Sequence, residues 1–374
     1  MKIAELVEQQ AALAIRWQDG TCSRFSFQWL RDNCRCDECG TTVTGARFLQ
    51  LTEFGPDITP DKCRLTSAGE VALDWSEGEH HSVFDSRWLR EQCPTHGTRY
   101  SKRTAFDARS TDYPRRDIAA LDAGDEAIID LAESIYEHGL VVIENVPHTD
   151  EAVVDVASTL GGIRSGSYEP VFELRAQDEP ESLAKARCEL APHVDEPYMS
   201  DPPGLLLMHC LEASSDGGGA SVLVDGLMIG EIIRRDHPDV FRTLCEVPMP
   251  HHRYRPGHFD HYGEAPVFTL RGDGQIEGFR FAERSAASLV MTEELIDHVY
   301  AARRVLLNLA YDSRYQLRIR LSPGEALLVD NHRLMHGRDD FRGKRYLRQV
   351  VVDRDELFSR YRLSCRALGR RAVV

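Results

Sequence analysis

Between residues 11 and 31 apolar and polar positions alternate about Asp19-Gly20, the pattern of two antiparallel strands joined by a tight turn. A further short strand runs from Glu70 to Trp75. From Asp125 the period lengthens. Ile128, Leu131 and Ile135 share one helical face, Gly139 stops the helix after His138, and Leu140 to Ile143 is the apolar run of a buried strand. Thr149 to Leu160 reads as a second helix, ended by Gly161-Gly162. Strands then dominate: Leu205–Cys210, Ala220–Asp225, Ile276–Phe281, Tyr315–Leu321, Glu325–Asp330 and Arg345–Asp353. Glu293 to Ala310, with Leu295, Val299, Ala302, Leu306 and Leu309 in register, predicts an amphipathic helix packed outside that sheet, and Asp355 to Leu368 a closing helix. Many short strands punctuated by Gly and Pro predict a mainly β barrel or jelly roll with flanking helices.

A chain of 374 residues exceeds the usual size of one core, so two domains are expected. The stretch 103–124, rich in Arg, Asp and Ser, reads as a linker between a small β-rich domain, 1–102, and a larger one, 125–374. A formal charge of -15 argues against nucleic acid or an anionic membrane as partner, since both are drawn to basic surfaces. It leaves room for a small acid, which one or two local arginines can hold in a pocket. With no apolar leader in MKIAELVEQQ and no membrane-spanning run, a cytoplasmic location is expected, and with it thiols that are reduced or metal-bound.

Two residue sets carry chemistry. In Pro192-His193-Val194-Asp195, the residues at i and i+2 of a strand project to one face, so His193 and Asp195 can meet on one ion while Val194 points away. His336, at a distant strand exit, completes two imidazoles and a carboxylate, the facial set that leaves three positions open on Fe(II) for a bidentate co-substrate and O2. Among fifteen histidines an isolated H-x-D arises by chance. What lifts this one is its context: the Pro202-Pro203-Gly204 turn, the strand after it, the second histidine, and an arginine shortly beyond. Arg345 is that arginine, able to grip a carboxylate with both arms of its fork, and Arg348 is the fallback. Three residues apart on a strand, the two face opposite sides, so only one can serve.

The second set is Cys34-Arg35-Cys36-Asp37-Glu38-Cys39. Three thiols in six residues are an oxidation hazard without a metal, and with one histidine they form a closed, structural Cys3His zinc site. The fourth ligand is His80 or His81, with His80 preferred.

The runs His193 to Tyr198, Pro202 to Gly204, Met208-His209-Cys210, Gly217 to Ser221, Val224-Asp225-Gly226 and Asp330-Asn331-x-Arg333-x-x-His336-Gly337-Arg338 together resemble the γ-butyrobetaine dioxygenase and trimethyllysine dioxygenase family, which is TauD-like. Trp29-Leu30-Arg31-Asp32-Asn33-Cys34 resembles the small zinc domain that precedes the catalytic domain there. The resemblance implies a double-stranded β-helix catalytic domain, Fe(II), 2-oxoglutarate and O2 as co-substrates, a homodimer, and C–H hydroxylation of a small molecule with release of succinate and CO2. By position, His193, Asp195 and His336 take the iron and Arg345 the 2-oxoglutarate, with Met208 beside it.

Substrate contacts are expected from Tyr168, Phe172, Glu196, Tyr198, Glu283 and Arg284. Relatives that bind trimethylammonium groups enclose the cation in aromatic rings. Here Glu196 and Val351 stand where the family places aromatics, and Phe281-Ala282-Glu283-Arg284-Ser285 replaces its F-N-N segment. Glu283 is suited to an amine and Arg284 to an acid, which favours a quaternary ammonium, amino acid or phosphonate derivative. His251, His252, His258 and His261 read as a loop over the pocket. Asp195 fills the position that halogenating enzymes leave vacant for chloride, so halogenation is not expected. Desaturation stays open, as does a non-catalytic zinc-bearing scaffold or sensor.

Overall fold

The computed structural model describes residues 2–41, 43–77, 79–93, 101–121, 123–165, 169–180 and 182–373. They form two compact units, residues 1–99 and 100–374.

In the first unit the alternating stretch forms Ala12–Trp17 and Cys22–Ser26 as expected, and Ile3–Gln9 adds a third strand to their sheet. A second three-stranded sheet comprises Pro60–Leu65, Val71–Trp75 and His81–Phe84. Leu13, Ile15, Trp17, Leu73 and Phe84 share one core. Its two buried indoles keep their N–H groups satisfied, Trp17 by the Ser23 hydroxyl at 2.7 Å and Trp75 by the Ser82 hydroxyl at 2.8 Å. The short helix Phe27–Asp32, capped by Ser26, delivers the chain to the cysteine cluster.

The second unit is a two-sheet jelly roll. One sheet runs Arg115–Asp117, Leu140–Glu144, Ala326–Asp330, Leu205–Glu212, Tyr346–Val352, Val171–Arg175. The other runs Leu190–His193, Leu334–Arg338, Ser221–Asp225, Gln316–Ile319. Alternation along the strands sorts the side chains into layers. Val142, Met208, Leu223, Leu327 and Leu347 share an inner core. Val141, Leu205, Leu207, Leu328 and Val350 face the other way and pack with the helices Asp125–His138, Ala152–Leu160 and Arg354–Ala367. The helices Gly226–Asp236, Pro238–Glu246 and Glu293–Ala310 join the core that holds Val224 and Met335 of the smaller sheet.

The helices at 125 and 293 occupy the residues their periodicity predicts, and Gly139 ends the first in a left-handed conformation at φ 76°. The stretch read as a linker is built into the larger unit instead. Arg115–Asp117 pairs in parallel with Leu140–Glu144, Phe106 is buried in the inner core, and the Thr104 N–H donates to the Glu137 carbonyl. Its polar composition hid these few anchoring residues. Two helices, Gly226–Asp236 and Pro238–Glu246, follow Asp225 where the sequence reading placed no element. Asp225 caps the first of them by accepting from the Leu227 N–H at 2.9 Å.

The same Asp225, fully buried, forms a two-pronged ion pair with Arg333 at 2.7 and 3.1 Å. The remaining donors of Arg333 reach the carbonyls of Thr104, Tyr136 and Glu137. This network anchors the strand Leu334–Arg338 to its neighbour and to the helix Asp125–His138. Removing one member leaves a buried charge alone, so Arg333→Met should lower the unfolding free energy by about 3–5 kcal/mol. Urea denaturation of the full chain measures this, and a change under about 1 kcal/mol would contradict the assigned role.

Candidate metal centres and active-site cavity

In the first unit the sulfurs of Cys34, Cys36 and Cys39 lie 3.3, 3.6 and 3.4 Å from His80 Nε2. A tetrahedral zinc ion, with Zn–S near 2.3 Å and Zn–N near 2.0 Å, separates sulfur from nitrogen by about 3.5 Å. The four groups therefore already describe the coordination polyhedron. Burial, with Arg31 nearby, lowers the His80 pKa and keeps the imidazole neutral, as a ligand must be. Its Nδ1 faces the Glu38 carboxylate at 3.4 Å, the outer partner that orients a metal-bound histidine. His81 turns away to pair with Asp74 at 2.6 Å, which decides between the two neighbours. Every position of this site is filled by protein, so its role is structural.

In the second unit His193 and His336 are directly opposite in the antiparallel pair of Leu190–His193 with Leu334–Arg338, their ring centroids 4.4 Å apart. Gly337 permits this approach, because a Cβ there would come within 2.4 Å of the Leu190 carbonyl oxygen. Asp195 lies just past the strand end, its two oxygens 3.3 Å from His193 Nε2 and 3.6 Å from His336 Nε2. The turn carrying it is clamped by fully buried Asn331, whose Oδ1 accepts from the Asp195 N–H at 2.9 Å while Nδ2 donates to the carbonyls of Asp195 and Pro203. Glu196 completes the turn at φ 47°, a left-handed conformation strained for a residue with a side chain.

The protonation states suit a cation. The Nδ1–H of His193 donates to the Ala191 carbonyl at 2.9 Å, which leaves Nε2 with its lone pair toward Asp195. Burial lowers the pKa of His193, and that of His336 to about 3. Burial opposes ionisation of Asp195, but the positive charge around it outweighs this, the Arg284 guanidinium 3.2 Å from Oδ1 being the permanent source, and its pKa lies below the ordinary carboxylate range. Two neutral imidazoles and one carboxylate converge from one side, a set that fits Fe(II) with open positions.

His193, Asp195 and His336 line a cavity of about 230 Å³, room for small molecules and not for a folded partner. Met208 and Arg345 line it. Arg345 is buried, and its guanidinium makes no hydrogen bond or ion pair among the described residues beyond lying 5.6 Å from the Phe341 ring. Burial, with Arg338 nearby, lowers its pKa to about 10, so it stays cationic. Gly219, at φ 74°, makes room for it, since a Cβ there would touch the Arg345 side chain at 3.0 Å. A buried, unpaired guanidinium on the cavity that holds the triad is what a dicarboxylate co-substrate requires. Arg348, the fallback, points to the opposite face and donates to the Asp150 carbonyl, away from the cavity.

Of the expected substrate contacts, Phe172, Glu196, Tyr198 and Arg284 line the cavity, and Tyr168 lies outside the described residues. Glu283 does not line it. Arg303 holds both of its oxygens at 2.8 and 2.9 Å, a satisfied ion pair that turns it away. The histidine-rich stretch forms the hairpin Met249–Arg255 and Phe259–Ala265, from which Arg253, rather than a histidine, reaches the cavity wall. Sequence reasoning missed Gln349, whose Nε2 lies 3.4 Å from Asp195 Oδ2, and the clamp made by Asn331. Gln349 stands four residues after Arg345, on the same side of the strand as the cavity, and that spacing was the available signal.

A jelly roll with this triad, this open coordination side and this arginine defines a non-haem Fe(II), 2-oxoglutarate-dependent dioxygenase. Residues 98–351 match the family described as Taurine catabolism dioxygenase TauD, TfdA, and residues 4–90 match the Gamma-butyrobetaine hydroxylase-like N-terminal domain. The chain belongs to the TauD/TfdA dioxygenase family. It is 28% identical to a gamma-butyrobetaine dioxygenase of Pseudomonas sp. (strain AK-1), covering 96% of this chain and 95% of that one. It is also 28% identical to a trimethyllysine dioxygenase of Meyerozyma guilliermondii, covering 100% and 98%. Among solved structures, one from Burkholderia xenovorans assigned as an alpha-ketoglutarate-dependent taurine dioxygenase superposes with a TM-score of 0.52 at 11% identity, over 67% of this chain and 92% of that one, and shares the fold.

Because three thiols and His80 form a closed set, Cys36→Ser should reduce bound zinc from one per chain to well below one, by metal analysis, and should destabilise the first unit. Full zinc retention would show that another residue completes the site.

Proposed function

We propose that this dioxygenase hydroxylates a C–H bond of a small γ-butyrobetaine-like molecule, a quaternary ammonium compound or an amino acid or phosphonate derivative. One observation carries the reading: the buried, unpaired Arg345 faces the same cavity as His193, Asp195 and His336. In it, those three residues hold Fe(II) and Arg345 takes the distal carboxylate of 2-oxoglutarate, with Met208 as an apolar wall. When bound, iron with 2-oxoglutarate and O2 supplies the oxidising power, and succinate and CO2 are the by-products.

The protein's share is placement and exclusion of water. Phe172, Tyr198, Glu196 and Arg284 all line the cavity, a mixture of aromatic, anionic and cationic groups that suits a ligand carrying both an ammonium and an acid group. The two curated relatives act, by their names, on γ-butyrobetaine and trimethyllysine, both of which pair a trimethylammonium group with a carboxylate. No described helix is long and apolar enough to cross a membrane. A homodimer and a cytoplasmic location belong to the same proposal, and sedimentation of the purified chain tests the first.

The deciding experiment supplies iron, 2-oxoglutarate and O2, screens betaines, methylated lysines, amino acids and aminophosphonates by mass spectrometry, and measures succinate. A compound gaining one oxygen is expected. His193→Ala should abolish substrate-stimulated succinate formation, and Arg345→Gln should raise the KM for 2-oxoglutarate by at least about thirtyfold, the lower end for losing a buried charge pair. Unchanged turnover in His193→Ala would refute the triad.

A further inference from the structure

The short turn Glu283–Ser285 is held from two sides by groups remote from the metal. Arg303, on the helix Glu293–Ala310, grips Glu283 with a two-pronged ion pair. His251, buried, accepts the Ala282 N–H at Nε2 (3.3 Å) and donates from Nδ1 to the Met249 carbonyl (3.2 Å). Fixed at 282 and 283, the backbone aims Arg284 at Asp195, and its guanidinium donates to Oδ1 at 3.2 Å. The side chain of Arg284 is 38% exposed and lines the cavity, and one of its five N–H donors is engaged by Asp195, which leaves others available to a ligand.

A guanidinium hydrogen-bonded to a metal-binding carboxylate has two opposed effects. It steadies the carboxylate, and its charge repels the dication that the carboxylate is there to hold. An anionic group entering beside Arg284 offsets that repulsion. We propose that Arg284 is a positioning residue that couples the two ligands, so that the divalent metal and the anionic end of the substrate each bind more tightly when the other is present. Linked equilibria make the effect reciprocal. The inference rests on the proposed reading for what enters the cavity, but it is tested without turnover.

The test is calorimetric titration of Co(II) into zinc-loaded, iron-free full-length protein, with no 2-oxoglutarate present. The probes are γ-butyrobetaine and 2-aminoethylphosphonate, which carry acid groups, and choline, which has an onium group and none. At least one acid-bearing probe should tighten Co(II) binding to the wild type by about fivefold or more, the low end of such couplings, while choline leaves it unmoved. Arg284→Gln should bind Co(II) more tightly on its own and lose the response; Arg284→Lys, which keeps the charge, should keep part of it. The proposal is overturned if Arg284→Gln binds Co(II) no tighter than wild type, if no acid-bearing probe moves the wild type, or if both proteins respond alike. Failure of the dioxygenase reading shows elsewhere, as absence of succinate in the iron-loaded assay.

Discussion

The ion pair of Asp225 with Arg333, sealed from water, is the constraint on which the catalytic unit depends. Asp225 ends one strand of the smaller sheet and begins a helix, and Arg333 enters the neighbouring strand three residues before His336. Both oxygens of the carboxylate are held by the guanidinium, and one also accepts the Phe106 N–H at 3.2 Å. In a low-dielectric interior such a pair tolerates only the arrangement that satisfies every donor. It therefore sets where the strand Leu334–Arg338 starts. Cross-strand pairing then places His336 opposite His193, and Asn331, two residues before Arg333, pins the turn that brings Asp195 alongside.

The two metal centres follow opposite logic. The cluster of Cys34, Cys36, Cys39 and His80 surrounds its ion, so binding free energy there becomes folding free energy for a small unit. The triad approaches from one side and leaves the other to the cavity. Arg345 is buried and, among the described residues, has no counter-charge, which leaves its guanidinium suited to an anionic ligand in the cavity. An acidic chain can still accommodate an anion in such a cavity, because the formal charge of -15 is spread over a screened surface while the Arg345 guanidinium acts at short range in the interior.

Arg338 spends its charge on structure. Its guanidinium donates to the carbonyls of Ala184, Ala186 and Cys188 and so fastens the segment that forms part of the cavity wall. Glu283 is spent similarly on Arg303. Neighbouring charged residues of the same type thus divide into those satisfied by protein and those left for ligands, a division that residue type alone does not reveal.

Much of this was legible along the chain. Helices at 125 and 293, the strand pairs about Asp19-Gly20, the His193-x-Asp195 and His336 set and the three cysteines follow from periodicity and ligand spacing, which are local properties of a polypeptide. His80 rather than His81, Arg345 rather than Arg348, the withdrawal of Glu283 and the arrival of Gln349 and Asn331 were decided only by folding. Each turns on which face of a strand points inward and on which polar partner lies within hydrogen-bond reach once distant segments pack. Sequence supplied the chemical groups and their local geometry; tertiary structure decided which were satisfied internally and which were left facing the cavity, because an unpaired polar group is costly to bury and packing decides which partners come within reach.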